Sequence, residues 1–147
     1  MCASTTANLK QCEFLQQQLA QVGIDVEINA LESAVVNQKI QDVNVPGSEA
    51  EVDMYVIGWS PSTGDADWGI RPLMAIESEP PASYNICYYE NEEVDQLLKD
   101  ALSTADDAKR AEAYAKAQDI IWEESPLVCL ATDNNTWASS AKMVDAK

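Results

Sequence analysis

The chain has 147 residues, enough for one domain with a core of its own, and its 46% hydrophobic content excludes a disordered composition. Twenty-five acidic against nine basic residues leave a net charge of -16, which excludes nucleic acid and an anionic membrane docked through a basic face as partners. Four cysteines (Cys2, Cys12, Cys87, Cys129) with no CxxC pair, and no histidine, argue against structural zinc and remove the Ser-His and Cys-His nucleophile systems. No apolar run approaches the roughly 20 residues that span a bilayer. Met1-Cys2-Ala3 leads into polar residues instead of an apolar export segment, so the expectation is either a cytoplasmic chain or one written without its export signal.

The pattern is helical from about Thr6 to Gln21, with Leu9, Cys12, Leu15, Leu19 and Val22 at three- and four-residue spacing. Gly23 is placed to end that helix. Ile24 to Ile28 alternates with period two and predicts a half-buried strand running towards Leu31. A second helix is expected over Ser33 to Gln41, then a turn at Pro46-Gly47. Val52 to Trp59 reads as a central strand buried on both faces, because it is apolar at nearly every position after Asp53. It discharges into Ser60-Pro-Ser-Thr-Gly-Asp-Ala-Asp67, the kind of loop an α/β domain turns towards its ligand.

Asp67 is a cap candidate for a short helix, with Pro72 opposing a long regular one. Tyr84 to Tyr89 reads as a short extended segment. Asn91, followed by Glu92 and Glu93, caps a helix that buries Val94, Leu97, Leu98 and Ala101. Thr104 to Asp107 fits a capping box for a helix through Ala111, Tyr114, Ala117, Ile121 and Trp122, which Ser125-Pro126 stops. Leu127 to Thr132 is expected as a last strand. Cys12 and Cys129 are expected as core thiols, on a helix and that strand. The fold class is α/β: a mixed β-sheet covered by helices, in one domain over residues 1–147.

Among chemical readings, Asp65 and Asp67 could hold a divalent ion that grips a diphosphate, as in a metal-dependent glycosyltransferase-like enzyme. Two aspartates in a glycine-containing loop also serve as turn and cap residues. Asp65 or Asp67 with Glu77 or Glu79 could form a hydrolase pair, though acidic chains supply such pairs freely. There is no glycine-rich phosphate loop or Walker lysine, and no cofactor is expected. Trp59 can be a core plug or the floor of a ligand site, and Tyr84, Tyr88 and Tyr89 raise the same alternative. Arg71 pairs with acidic neighbours or binds an anion. Asn134-Asn-Thr136 fits a glycosylation acceptor. A protein-binding α/β module using the acidic face is a further reading.

Several stretches together form an ordered series: Leu15 to Ile28, Asp53-Met-Tyr-Val-Ile-Gly-Trp59, Gly64-Asp-Ala-Asp67, Glu92 to Leu98, Lys109 to Ile121 and Glu123-Glu-Ser-Pro-Leu-Val128. The series resembles the extracytoplasmic solute-binding proteins of the peptide/nickel group (family 5), which serve ABC importers. The resemblance spans nearly the whole chain. It implies one lobe of a type II periplasmic-binding-protein-like fold, excised from the C-terminal half of a longer, two-lobed protein whose N-terminal lobe is missing here. It also implies capture of a peptide or other small solute, delivery to a membrane permease, no covalent chemistry, and an extracytoplasmic site of action. A parent chain with a signal peptide and a lipidation cysteine would fit.

The resemblance assigns Trp59, Ser60 and Pro61 to the solute cleft, where an extended peptide can bond to protein main chain. In di- and oligopeptide binders of this group, an aspartate three residues after the tryptophan pairs with the ligand's free amino group. Ser62 stands at that position, and a hydroxyl cannot supply the charge. Asp65, further along the loop, is the candidate substitute. Ala66 replaces the usual proline between Asp65 and Asp67, which leaves the loop less restrained.

Overall fold

The computed structural model describes residues 1–42 and 52–132. The Pro46-Gly47 turn and the Asn134-Asn-Thr136 acceptor pattern lie outside them. The architecture is the expected α/β layer, a small open sheet covered by helices.

Strand β1 (Cys2–Ala3), helix α1 (Thr6–Gln21) and strand β2 (Ala30–Leu31) form one crossover unit. The strands are parallel, with Cys2 opposite Ala30 and Ala3 opposite Leu31. Two parallel strands cannot be joined by a hairpin, and α1 supplies the connection. Thr5 caps α1 by accepting the Asn8 N–H at 3.3 Å. At the other end Gly23 adopts φ 83, Gly23 N–H donates to Ala20 O, and Ile24 N–H reaches back to Leu19 O. That is a Schellman closure, which needs a left-handed residue where glycine carries no Cβ penalty.

The strand expected over Ile24–Ile28 is confined to Ala30–Leu31. Ile24 is exposed, and Gln16 Nε2 bonds the Val26 carbonyl at 2.6 Å, so a side chain replaces a ladder partner there. Helix α2 (Ser33–Ile40) follows β2 directly and buries Val36 and Ile40.

Residues 52–59 run extended along the other edge of β1. The Met1 amino group donates to Met54 O at 2.6 Å and Val56 N–H donates to Met1 O at 3.2 Å, a parallel register centred on Tyr55. The segment is not the expected central strand buried on both faces. Met54 is 50% exposed and Ile57 38%, and the described ladder gives it a neighbour on one side only. Apolar composition predicted burial; it could not specify how many partners the strand would find.

The described core sits instead among three helices: α3 (Ala66–Met74), α4 (Glu92–Ser103) and α5 (Asp107–Glu124). Met74, Ala75, Tyr89, Val94, Leu98, Ala101, Tyr114 and Ala117 form it. Asn91 caps α4 as expected, its Oδ1 accepting the N–H groups of Glu93 and Val94, each at 3.0 Å. The cap of α5 is Asp106, which accepts from Ala108 N–H at 3.0 Å. Thr104 acts one step earlier, accepting the Asp106 N–H. Tyr114 and Ala117 are buried as expected, whereas Trp122 is 74% exposed. Ser125, left-handed at φ 49, ends α5 before Pro126.

Two further expectations are corrected. Tyr84–Tyr89 is not extended. Asn85 is fully buried and folds the segment on itself, with its Nδ2 donating to the carbonyls of Ala75 and Tyr89 and its Oδ1 accepting the Tyr89 N–H. Leu127–Thr132 makes no ladder with any described residue, and only Leu127 packs on the core. Cys129 on that segment is exposed, so it is not a core thiol.

Cys12 is a core thiol, and it meets Cys2 between α1 and β1. Burial, with Cys2 beside it, pushes the Cys12 thiol up to about 11. A neutral, buried thiol is a poor nucleophile. Brief alkylation of the native protein is expected to label Cys87 and Cys129 and to spare Cys2 and Cys12. Peptide mass mapping checks this, and labelling of all four at one rate would contradict the packing of β1 on α1.

Candidate functional site

Trp59 is half-buried at the end of the extended segment. Its ring lies against Tyr84, with centroids 5.4 Å apart and planes tilted by 55°. Its Nε1–H donates to the Trp68 carbonyl at 3.1 Å. Four residues earlier, the Tyr55 hydroxyl meets Cys87 Sγ at 3.8 Å. The extended segment and the 84–89 loop therefore run side by side, with Trp59 and Tyr84 pairing their rings between them.

Ser60, Pro61 and Ser62 follow Trp59 and are exposed. Gly64 N–H donates to Pro61 O at 3.2 Å, closing a tight turn with Ser62 and Thr63 at its corners. Gly64 leaves the turn at φ 68, where a side chain would be strained. Thr63 Oγ1 accepts the Asp65 N–H at 3.2 Å. The loop is thus self-bonded at its tip and tied to the helices at its two ends, by Trp59 and by Asp65.

Asp65 caps α3, its Oδ1 accepting the Asp67 N–H at 2.8 Å. Asp67, the cap expected from sequence, lies in the first turn. Both Asp65 oxygens also accept from Arg110 of α5, at 3.0 and 2.9 Å. This two-pronged contact, with the Asp67 N–H beside it, holds the Asp65 carboxyl below the usual carboxylate range. Asp67 Oδ1 accepts from the Tyr114 hydroxyl at 3.1 Å and from Arg71 Nε at 2.9 Å. Arg71 also donates to Glu77 Oε1 at 3.2 Å and to the Leu98 carbonyl at 2.7 Å.

This network gives each loop carboxylate a partner within the fold. Two arginines and a tyrosine hydroxyl bond to these carboxylates, at both Asp65 oxygens and at Asp67 Oδ1, so each serves as an ion-pair partner, Asp65 with Arg110 of α5 and Asp67 with Arg71 of α3. Asp67 and Glu77 converge on Arg71 and not on each other, which is the ion-pairing reading of Arg71. Asp65 is likewise engaged, with both oxygens accepting from Arg110. Neither Arg110 nor Asn85 stands out in the sequence, and Tyr114 does so only as a buried helix residue. The four-residue spacing of Arg110 and Tyr114 on one helix face was the available signal.

Two surface pockets, of about 430 and 210 Å³, lie away from this surface. The first is lined by Met1, Val26 and Asp53 among others, the second by Phe14, Leu15 and Leu130, and neither includes Trp59. Trp59 is half-buried, and the adjoining Ser60, Pro61 and Ser62 are open to solvent.

Residues 1–79 match the family described as "Bacterial extracellular solute-binding proteins, family 5 Middle", more than half of the 147 residues. The chain belongs to that family. Family 5 proteins are non-catalytic components of transport. The chain is similar to the glutathione-binding protein GsiB of Escherichia coli (strain K12), 42% identical over 135 residues, which are 91% of this chain and 26% of that protein. Among solved structures, it is similar to the periplasmic binding protein DppA from Helicobacter pylori in complex with the peptide STSA. That match has TM-score 0.71 and 30% identity, over 85% of this chain and 23% of the other. It also resembles a dipeptide-binding protein from Pseudoalteromonas sp. SM9913 in complex with Met-Leu, with TM-score 0.70 and 30% identity over 80% of this chain and 22% of the other. The chain spans about a quarter of the length of the family 5 relatives it matches.

Proposed function

We propose that this chain is one lobe of a two-lobed, extracytoplasmic family 5 protein that captures a short peptide-like solute and delivers it to the permease of an ABC importer. The solute would be of the size and kind that the glutathione-binding relatives take. It would lie between this lobe and an N-terminal one, with Trp59 as a flat apolar floor and the Ser60–Ser62 main chain and hydroxyls as bonding partners. The site of action would be the periplasm or the outer face of the cell membrane.

The observation that carries this reading is the 42% identity to glutathione-binding proteins over 91% of the chain. The exposed Ser60–Ser62 stretch beside Trp59 fits it, since half of a cleft between lobes is a surface until the other half closes. Ser62 and the Arg110-held Asp65 fit it as well, because neither offers the free carboxylate that a simple free-amino dipeptide would seek.

Titration calorimetry on the full-length protein tests the proposal. Glutathione or another short peptide is expected to bind with a dissociation constant of about 1 μM, near -8 kcal/mol. The 147-residue chain by itself is expected to bind the same compounds weakly or not at all. Absence of binding to any short peptide at millimolar concentration by the full-length protein would overturn the reading. Micromolar binding by the isolated chain would remove the need for a second lobe.

A further inference from the structure

Pro72 is buried inside the nine-residue helix α3, two residues before its end at Met74. A proline within a helix has no N–H for the carbonyl four residues back, so that carbonyl loses its helical donor. In α3 the residue four back is Trp68, and its carbonyl accepts the Trp59 indole N–H at 3.1 Å. The Pro72 carbonyl in turn accepts the Tyr84 N–H at 3.0 Å. Tyr84 is the residue whose ring lies against Trp59. Both contacts that orient the indole therefore lead back to one residue, which lies beneath the surface and does not line it.

We propose that Pro72 is a positioning residue for solute capture: by withholding a helical donor from the Trp68 carbonyl, it leaves that carbonyl free to hold the Trp59 indole at one angle on the solute-facing surface. This rests on the reading of Trp59 as part of the solute surface. Any other residue at position 72 brings an N–H aimed along the helix at the Trp68 carbonyl. That N–H draws the carbonyl along the helix axis and leaves the indole only the second lone pair, at a different angle. Alanine is also the best helix former, so the substitution does not oppose α3 itself.

The test is Pro72→Ala in the full-length protein, read three ways. The Trp59 indole N–H, followed by nitrogen-labelled tryptophan NMR, should lose protection from hydrogen exchange. The dissociation constant for the peptide that binds the parent protein should rise about three- to tenfold, the size of one ordinary hydrogen bond. The melting temperature should not account for that loss. Trp59→Phe removes the donor from the other side and should weaken binding as well. Pro72→Ala added to Trp59→Phe should then weaken binding little further, because both act through one bond.

Additive losses would overturn the proposal even if Pro72→Ala lowered the melting temperature. An unchanged indole signal would overturn it too, as would a freed indole with unchanged affinity. If the parent protein bound no peptide, the solute reading would fall by itself, and the indole exchange would still decide whether Pro72 holds Trp59.

Discussion

Replacing Asn85 with alanine should destabilise the fold by about 2–5 kcal/mol, from the cost of leaving two buried main-chain groups without partners. Asn85 is 0% exposed, so water cannot reach in to compensate. Its side chain donates to Tyr89 O at 2.8 Å and accepts from Tyr89 N–H at 2.9 Å. It also donates to Ala75 O, which already takes the Ser78 N–H and would remain satisfied. The Tyr89 groups have no such second partner among the described hydrogen bonds. The damage would spread, because the Tyr89 hydroxyl donates to Glu124 at 2.6 Å and so fastens the loop to the end of α5. A domain of this size has only about 5–15 kcal/mol in total, so the loss would be plain in a urea or thermal melt. Asn85→Asp keeps one acceptor but loses both donations, and it should fail nearly as badly. A loss under about 1 kcal/mol for the alanine variant would show that the side chain does not hold the loop.

The second large effect is a gain. Ser62→Asp in the full-length protein should strengthen binding of peptides with a free amino group by about 10- to 100-fold, the range of a hydrogen bond to a charged group. Ser62 stands at the corner of the turn closed by Pro61 and Gly64, a position that accepts aspartate without backbone change. The nearest alternative carboxylate, Asp65, is held on both oxygens by Arg110. A new charge at position 62 would therefore be free to meet the ligand's ammonium. Calorimetry with a dipeptide and its N-acetylated form reads the effect: the free-amino form alone should gain. Equal changes for both would mean that position 62 does not face the amino terminus.

Local signals were legible in the sequence and long-range ones were not. Gly23, Asn91 and the Val94–Leu98–Ala101 face were readable because caps and helix periodicity act within a few residues. The apolar run at 52–59 shows an extended segment but not its burial, since the partner on each side is chosen by the whole sheet. Asn85 gave no warning at all. A polar residue reads as surface, and only its three hydrogen bonds, to Ala75 and Tyr89, make it core. Asp65 shows its charge in the sequence but not its partner. Its acidity suggested a cation or an ammonium, while the residue that answers it, Arg110, lies 45 positions away. In the same way Pro72 reads as an obstacle to α3, while its missing N–H leaves the Trp68 carbonyl to the Trp59 indole.

The Asp65–Arg110 clamp has a consequence for how such a protein can change its diet over generations. On the proposed reading, the loop that meets the solute takes its position from α5, through a residue 45 positions away in sequence. Substitutions around Arg110 and Tyr114 can therefore retune which solutes are retained without altering any group that touches them. Selection acting on α5 would look, in a comparison of sequences, like drift in a scaffold, and the shift in preference would have no visible author in the cleft.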